Sequence, residues 1–170
     1  GFPEFMKALP AILGADRRIH VVIAGRNQVV YGPRPIRLRD WKAEALSTLD
    51  LDPARVLFTG ALQVNEYRNL LRRSDVHVYL TVPFVLSWSM LEAMSAARRL
   101  VLSDTEPVRE FAGTDLAILT TISPSSIADA VLTALDDASD RPQRARNRIK
   151  DRVSLCDCLS SRQEILSRSL

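Results

Sequence analysis

The sequence predicts an α/β fold, a Rossmann-like three-layer α/β/α domain with a mainly parallel β-sheet. Three observations predict it. Five short apolar runs recur along the 170 residues with room for a helix between them. Each run is continuously apolar rather than alternating, which is typical of strands covered on both faces. The segments between the runs repeat apolar residues at helical spacing.

The five predicted strands end in glycine or in a small polar residue. They are "HVVIAG" (20–25), "RVLFTG" (55–60), "VHVYLT" (76–81), "LVLSD" (100–104) and "LAILTT" (116–121). In parallel sheets, ligands bind beyond the carboxyl ends of the strands, where loops lead into helix N-termini. We therefore expect the functional residues to lie just after these runs.

The predicted helices lie between the strands and carry recognisable start signals. The segments are 2–13, 41–49, 64–71, a helix beginning at 87–89, 127–135 behind Ser123 and Pro124, and an amphipathic tail over 157–170. Proline is tolerated in a first helical turn, which fits Pro3 and Pro124. Because the chain begins with a helix, the βα pattern predicts one more strand ahead of it.

Length and composition favour a single domain over 1–170, long enough to bury roughly 70% of the surface of its unfolded chain. With 46% apolar and 25% charged residues, the chain resembles an ordinary soluble domain. No apolar run approaches the roughly 20 residues of a membrane span, and no signal peptide is visible. We expect a cytoplasmic protein with at most peripheral membrane association. Since it does not begin with methionine, we expect the interior or end of a longer chain.

The basic excess is small, with 23 Lys and Arg against 20 Asp and Glu. Much of it lies in "RPQRARNRIKDR" (141–152), which we interpret as a solvated helix face. A strip that binds nucleic acid is the alternative, but no aromatic residues are interleaved with the charges. Cys156 and Cys158 lack neighbours that would complete a metal site, which fits a reducing compartment.

Several common catalytic sites are absent from the sequence. No strand is followed by G-x-G-x-x-G, and there is neither a G-x-x-x-x-G-K-[ST] loop nor a G-x-S-x-G elbow. His20 opens a predicted strand and His77 lies inside one, so both are interpreted as packed or edge residues. We therefore name no catalytic residue and no metal site.

The segment 82–104, "VPFVLSWSMLEAMSAARRLVLSD", carries a possible anion site. The first N–H groups of the helix that begins at 87–89 lack intrahelical partners and favour a phosphate or diphosphate. Glu92 lies about one turn further, where it could accept hydrogen bonds from ribose hydroxyls. The alternative is that Ser89 and Glu92 form a capping box, in which the glutamate only closes the helix start.

The segment 74–110, "SDVHVYLTVPFVLSWSMLEAMSAARRLVLSDTEPVRE", resembles the donor-site segment of retaining glycosyltransferases with the GT-B fold. It is most similar to the large family that includes bacterial exopolysaccharide and mannosyl transferases. The resemblance covers nearly the whole chain. "GFPEFMKALP" looks like the helix after the first strand of that family's C-terminal domain, and "HVVIAG" and "RVLFTG" look like its second and third strands.

The resemblance implies the donor-binding half of an enzyme that moves a hexose from a nucleoside-diphosphate sugar to an acceptor hydroxyl with retention of configuration. It implies a role in polysaccharide or glycoconjugate synthesis, no cofactor, and an N-terminal Rossmann-like domain of the same protein that supplies the acceptor site. Alone, the donor half is not expected to be active. Implied donor-binding positions are Glu92 for the ribose, Leu86, Ser87 and Trp88 for the diphosphate, and Gly25, Gly60 and Arg26 at strand ends.

The sequence also departs from the family pattern. Phe84 stands where the family has a glutamate that bonds the donor sugar, and a charged hydrogen bond of that kind contributes about 1.5–3 kcal/mol. Where the family has a turn of small residues that usually contains glycine, this sequence reads "SAARRL". The family's "DG-x-x-G" turn after "PVRE" is missing. These departures favour a second hypothesis, a non-catalytic α/β nucleotide- or partner-binding module left from a degraded glycosyltransferase.

Overall fold

The computed structural model describes residues 1–29, 34–82, 86–96 and 98–153, in which helices and strands alternate. The helices are α1 (Phe2–Ala15), α2 (Trp41–Thr48), α3 (Val64–Arg73), α4 (Trp88–Ser95), α5 (Glu106–Phe111), α6 (Gly113–Leu116), α7 (Pro124–Asp136) and α8 (Arg141–Val153). The strands are β1 (Val21–Ala24), β2 (Val56–Gly60), β3 (Val76–Tyr79), β4 (Arg99–Ser103) and β5 (Ile118–Thr120). None of these helices is long and apolar enough to cross a membrane.

Every strand pair among the described residues is parallel, as the sequence predicts. The strands form two sheets rather than one. β1 pairs with β2, and β4 pairs with β3 on one side and β5 on the other. A cavity of about 1120 Å³ lies between β1 and β3.

Helices lie on both sides of the sheet layer, so the three-layer α/β/α prediction is confirmed. On one face, α1 and α7 pack against both sheets in a cluster that includes Met6, Leu9 and Ile127, all fully buried. On the other face, α4 and α8 contribute Met94 and Ala145 to a second fully buried cluster. The first cluster spans both sheets and therefore holds them in one domain.

The prediction that all strands are covered on both faces is wrong for β1 and β2. Val22 and Leu57 are register partners, and their side chains are 41% and 58% exposed. The second cluster takes its strand residues from β3, β4 and β5, including Leu100 and Leu102. A continuous apolar run predicts a buried strand, but it does not show which strands the helices of one layer reach.

The helix predictions differ in their success. The described helices include those predicted over 2–13, 41–49, 64–71 and 127–135, and the basic segment 141–152 lies within α8. The short helices α5 and α6 were not predicted, because four to six residues give too little periodicity. The predicted tail helix over 157–170 and both cysteines lie outside the described residues.

The side chain of Arg55, just before β2, ties the end of α1 to the start of β1. Its guanidinium donates to the carbonyl oxygens of Leu13 at 2.9 Å, Asp16 at 2.7 Å and Ile19 at 3.0 Å. The last carbonyls of a helix lack intrahelical partners and carry a negative partial charge. Arg55 therefore supplies hydrogen bonds to carbonyl oxygens that would otherwise lack a donor, and a buried carbonyl without a donor lowers stability.

We expect Arg55→Met to lower the free energy of unfolding by about 1.5–3 kcal/mol, because it leaves these carbonyls without their charged donor. Urea denaturation followed by circular dichroism measures the change. Arg68→Met, at an exposed position of α3, is the matched control and should change stability by less than about 0.5 kcal/mol. Equal losses in the two variants would show that Arg55 has no special structural role.

His77 lies inside β3 and lines the cavity beside β1. Burial lowers its pKa to about 4. The ordinary value of about 6.5 applies to the unfolded chain. The unfolded state therefore binds a proton below about pH 6.5, whereas the folded state keeps the ring neutral until about pH 4.

Protonation below pH 6.5 therefore favours the unfolded state, so the protein loses stability through His77 as the pH falls below this value. At pH 5 the loss should be about 2 kcal/mol. Urea denaturation at pH 7 and pH 5 should show that His77→Leu reduces the pH dependence by this amount. His20→Leu, at an exposed histidine, is the control. An unchanged pH dependence in His77→Leu would contradict the burial of this ring.

Candidate functional site

The parallel strands place their carboxyl ends at one edge within each sheet, where the predicted strand-end glycines meet. The N–H of Gly25 donates to the carbonyl oxygen of Gly60 at 2.9 Å, so the ends of β1 and β2 are directly joined. Arg26 follows immediately and its side chain is exposed. The structure therefore brings Gly25, Gly60 and Arg26 together.

Both glycines have a left-handed backbone, with φ of 140° at Gly25 and 70° at Gly60. A Cβ built at either position would meet no atom within 4 Å. The glycines are thus required by backbone conformation and not by crowding. Open space beside the backbone at both strand ends leaves room for a ligand to approach.

We expect Gly25→Ala to lower the free energy of unfolding by about 1–3 kcal/mol, since only glycine adopts this φ without strain. Gly14→Ala is the matched control. Gly14 lies in α1, also with no atom within 4 Å of a built Cβ, and there alanine should stabilise the protein by roughly 0.5–1 kcal/mol. Thermal or urea denaturation measures both variants, and the same sign for the two would contradict the conformational argument.

Helix α4 begins at Trp88, within the predicted range of 87–89, and Ser87 is its N-cap. The Ser87 hydroxyl oxygen accepts from the N–H of Ser89 at 3.2 Å, and the Ser87 carbonyl accepts from that of Met90 at 3.1 Å. Two of the first three helix N–H groups are therefore already bonded. The third is the N–H of Trp88, which has no acceptor among the described residues and could therefore donate to a ligand.

The residues at this helix start form an accessible surface. The side chain of Trp88 is 77% exposed, whereas Leu86 and Ser87 are partly buried. Phe84 lies outside the described residues, so its predicted place beside the donor stays a prediction. An anion could reach the start of α4 from the side that Trp88 presents to solvent.

Glu92 does not form the capping box that was the alternative interpretation. A capping box needs the glutamate three residues after the N-cap, and that position is Met90 because the N-cap is Ser87. The Glu92 side chain is exposed one turn into α4. Its carboxylate is therefore not used to close the helix start.

Tyr67 of α3 is a neighbour of Glu92 that the sequence analysis did not identify as a site residue. Burial and, to a smaller extent, the charge and hydrogen bond of Glu92 raise the pKa of Tyr67 to about 12. The two residues are far apart in sequence and lie on different helices, so no local pattern could pair them. Tyr67 restricts the orientations that are open to the Glu92 carboxylate.

Polar contacts also order the carboxyl end of β4. The fully buried Ser103 accepts the N–H of Thr81 at 2.9 Å through its hydroxyl oxygen, which joins the ends of β3 and β4. Asp104 follows Ser103 and accepts hydrogen bonds from two nitrogens of Arg109, which belongs to the "PVRE" segment. The Nη2 of Arg109 lies 2.6 Å from the Oδ2 of Asp104. This pairing lowers the pKa of the Asp104 carboxyl. These contacts belong to the turn that follows β4.

The basic helix α8 uses part of its charge within the protein. Arg141 lies 2.8 Å from Asp137, Arg144 lies 2.9 Å from Asp140, and Arg148 donates to the carbonyl of Phe111 at 3.2 Å. Such pairing is less suited to a nucleic-acid strip than free arginines would be. In the described part of the chain, no group of three or more His, Cys, Asp or Glu could hold a metal ion.

The fold is that of one half of a GT-B glycosyltransferase, as comparison with solved structures shows. Sucrose-phosphate synthase from Thermosynechococcus elongatus is 15% identical with a TM-score of 0.70, over 99% of this chain and 43% of that one. Anabaena HepE, in complex with UDP and glucose, is 18% identical with a TM-score of 0.75, over 95% and 44%. This chain thus spans less than half the length of either.

The C-terminal domain of a glycosyl transferase group 1 family protein, LpcC from Francisella tularensis, is 20% identical with a TM-score of 0.70, over 91% of this chain and 80% of that one. Residues 1–137 match the family model described as "Glycosyl transferases group 1". The chain belongs to that family, and the resemblance seen in the sequence is confirmed. No curated protein matches it.

Proposed function

We propose that this chain is the donor-binding half of a retaining glycosyltransferase that transfers a hexose from a nucleoside-diphosphate sugar to an acceptor hydroxyl. Family membership supports the transferase class. The observation that carries the donor site is the exposed Glu92, one turn into a helix whose start is also accessible. At the carboxyl ends of β1 and β2, Gly25 and Gly60 are hydrogen-bonded to each other, and the space beside their backbone is open to a ligand.

The ligand class is supported by a structural neighbour. HepE has been solved with UDP and with UDP-glucose, and it shares the fold of this chain over 95% and 96% of its length. A diphosphate and a ribose are also the two groups that a helix start and a nearby carboxylate would bind. We therefore propose a nucleoside diphosphate as the part of the donor that this half holds.

Each proposed contact has a simple chemical role. The N–H of Trp88, at the positive end of α4, would donate to a diphosphate oxygen. Glu92 would accept hydrogen bonds from both ribose hydroxyls, and Arg26 would add a positive charge at the neighbouring strand end. As the sugar leaves, charge develops on the diphosphate, and fixed donors stabilise that charge. Leu86 and Ser87 would shape the turn around it.

The rest of the reaction is assigned to a second Rossmann-like domain of the same protein, which would supply the acceptor site. On this proposal the isolated chain binds the nucleotide but does not transfer sugar. The proposed setting is polysaccharide or glycoconjugate synthesis in the cytoplasm, with at most peripheral membrane contact and no nucleic acid. With Phe84 at the usual glutamate position, the proposal specifies the nucleotide part of the donor and leaves the sugar open.

Calorimetric titration with uridine, guanosine and adenosine diphosphates tests the donor site. We expect binding of at least one of them, and Glu92→Gln should weaken it roughly tenfold to a hundredfold, because a charged hydrogen bond to the ribose contributes about 1.5–3 kcal/mol. Asp129→Asn is the matched control. It removes one negative charge at an exposed position of α7 and should leave the affinity unchanged.

Two outcomes would contradict the proposal. Absence of heat from all three nucleotides at millimolar concentration would favour the second hypothesis, a non-catalytic module left from a glycosyltransferase. Equal affinity of the wild type and Glu92→Gln would keep nucleotide binding but remove Glu92 from the site.

A further inference from the structure

A second, smaller cavity lies at the amino-terminal ends of β3 and β4, at the opposite end of these strands from the proposed donor site. It has a volume of about 220 Å³ and is lined by Asp75, Arg98, Arg99, Ala138, Ser139 and Pro142. Asp75 directly precedes β3, Arg99 begins β4, and Pro142 is in the first turn of α8. A water molecule occupies about 30 Å³ in the liquid, so the cavity has room for a group several times larger. We call it the arginine cavity.

Arg98 places a buried donor at this cavity without an acceptor for it. Its Nε is buried and has no hydrogen-bond partner. In the part of the chain that the structure describes, the other guanidinium nitrogens of Arg98 form no ion pair or hydrogen bond either. An arginine side chain stays positively charged in proteins, and a charged donor buried without an acceptor lowers stability. The Arg98 guanidinium is therefore suited to an acceptor that the protein itself does not supply.

Arg99 holds a second guanidinium at the wall of the arginine cavity. Its Nε donates to the carbonyl oxygen of Asp137 at 2.6 Å, next to Ala138 of the lining. Its two Nη nitrogens have no partner among the described residues. Both arginines belong to "SAARRL", a segment in which the sequence departs from the family pattern. Two consecutive residues thus bring two positive charges to one cavity.

The neighbouring carboxylates do not neutralise both arginines. Asp137 accepts from Nη1 of Arg141 at 2.8 Å, and from the N–H and the hydroxyl of Ser139 at 2.9 and 3.0 Å. Its charge is therefore matched by Arg141. Asp75 is exposed and forms no ion pair with a described residue. The residues that line the cavity carry two positive charges and one negative charge, so the cavity favours an anion.

The start of α8 contributes no free N–H group to the arginine cavity. Pro142 has no N–H. The N–H of Arg141 donates to the Ser139 hydroxyl oxygen at 3.4 Å. That of Gln143 donates to the carbonyl oxygen of Asp140 at 3.0 Å. An anion in this cavity would therefore be held by the guanidinium groups and not by the helix start.

We propose that the arginine cavity binds the phosphate group of a small phosphorylated molecule, at a site separate from that of the sugar donor. A phosphate monoester carries about 1.5 to 2 negative charges at pH 7 and three acceptor oxygens. Guanidinium groups present their N–H donors in a fork that binds such oxygens in pairs. A carboxylate offers two oxygens and one charge, which is less than two arginines can bind.

Nuclear magnetic resonance titration with phenyl phosphate tests this site, with the ionic strength held constant by sodium chloride. We expect the Nε–H signal of Arg98 and the backbone amides of Arg99 and Ser139 to shift together at millimolar concentration or below. Arg98→Gln should weaken binding roughly tenfold to a hundredfold, because a charged hydrogen bond is lost. Arg146→Gln is the matched control. It removes the same charge at an exposed position of α8 and should leave binding unchanged.

Asp75→Asn tests the site without altering an arginine. It removes the one carboxylate that lines the cavity, and binding should become about two- to fivefold stronger, the effect of one exposed charge. Circular dichroism of each variant checks that the fold is kept. Unchanged or weaker binding in Asp75→Asn would contradict the electrostatic argument even if Arg98→Gln failed to fold.

Four results would overturn the proposal. They are the absence of shifts at Arg98 and Arg99, equal weakening by Arg98→Gln and Arg146→Gln, acetate binding as tight as that of phenyl phosphate, and shifts confined to Trp88 and Gly25, which would place the phosphate at the donor site. Inorganic phosphate, titrated in parallel, should bind more weakly; equal or tighter binding would assign the cavity to the free ion and overturn the proposed ligand. Glu92→Gln should bind phenyl phosphate as the wild type does, so this test is independent of the proposed function.

Discussion

Parallel pairing of the strands is the constraint on which the rest of this structure depends. It requires a crossing helix between consecutive strands, and those helices form the two outer layers. It also gives the strands of each sheet the same direction, so that Gly25 and Gly60 end together and are joined by a hydrogen bond. Helix α4 starts from the end of β3 for the same reason. The candidate site is therefore built mainly from strand ends and one helix start.

The sequence was a good guide wherever the signal is local. The first strand was predicted over 20–25 and lies at Val21–Ala24, because an apolar run and a closing glycine are both visible in the chain. The start of α4 was predicted equally well. The Arg55 contacts to Leu13 and Asp16 join residues 42 and 39 positions apart, and no local pattern encodes them. The pairing of Tyr67 with Glu92 was missed for the same reason.

Helix α4 shows how a local rule can select the wrong residue. Ser87 and Ser89 are both suitable N-caps, and the choice between them decides whether Glu92 is part of a capping box. The structure places the N-cap at Ser87, two residues earlier than the box requires, so the exposed Glu92 carboxylate is not used to close the helix start. The donor role of Glu92 thereby stays a prediction with one structural objection removed, while Phe84 lies beyond what the structure describes.

The two parts of the proposed donor site lie on different sheets. Gly25 and Gly60 end the β1–β2 pair, whereas α4 with Glu92 follows the sheet that contains β3. Among the described residues, the layer of α1 and α7 is what connects the two sheets, through the apolar cluster on one face. The distance between the strand-end glycines and the start of α4 therefore depends on how this apolar layer packs. That distance sets the span into which a diphosphate and a ribose would have to fit on the proposed function.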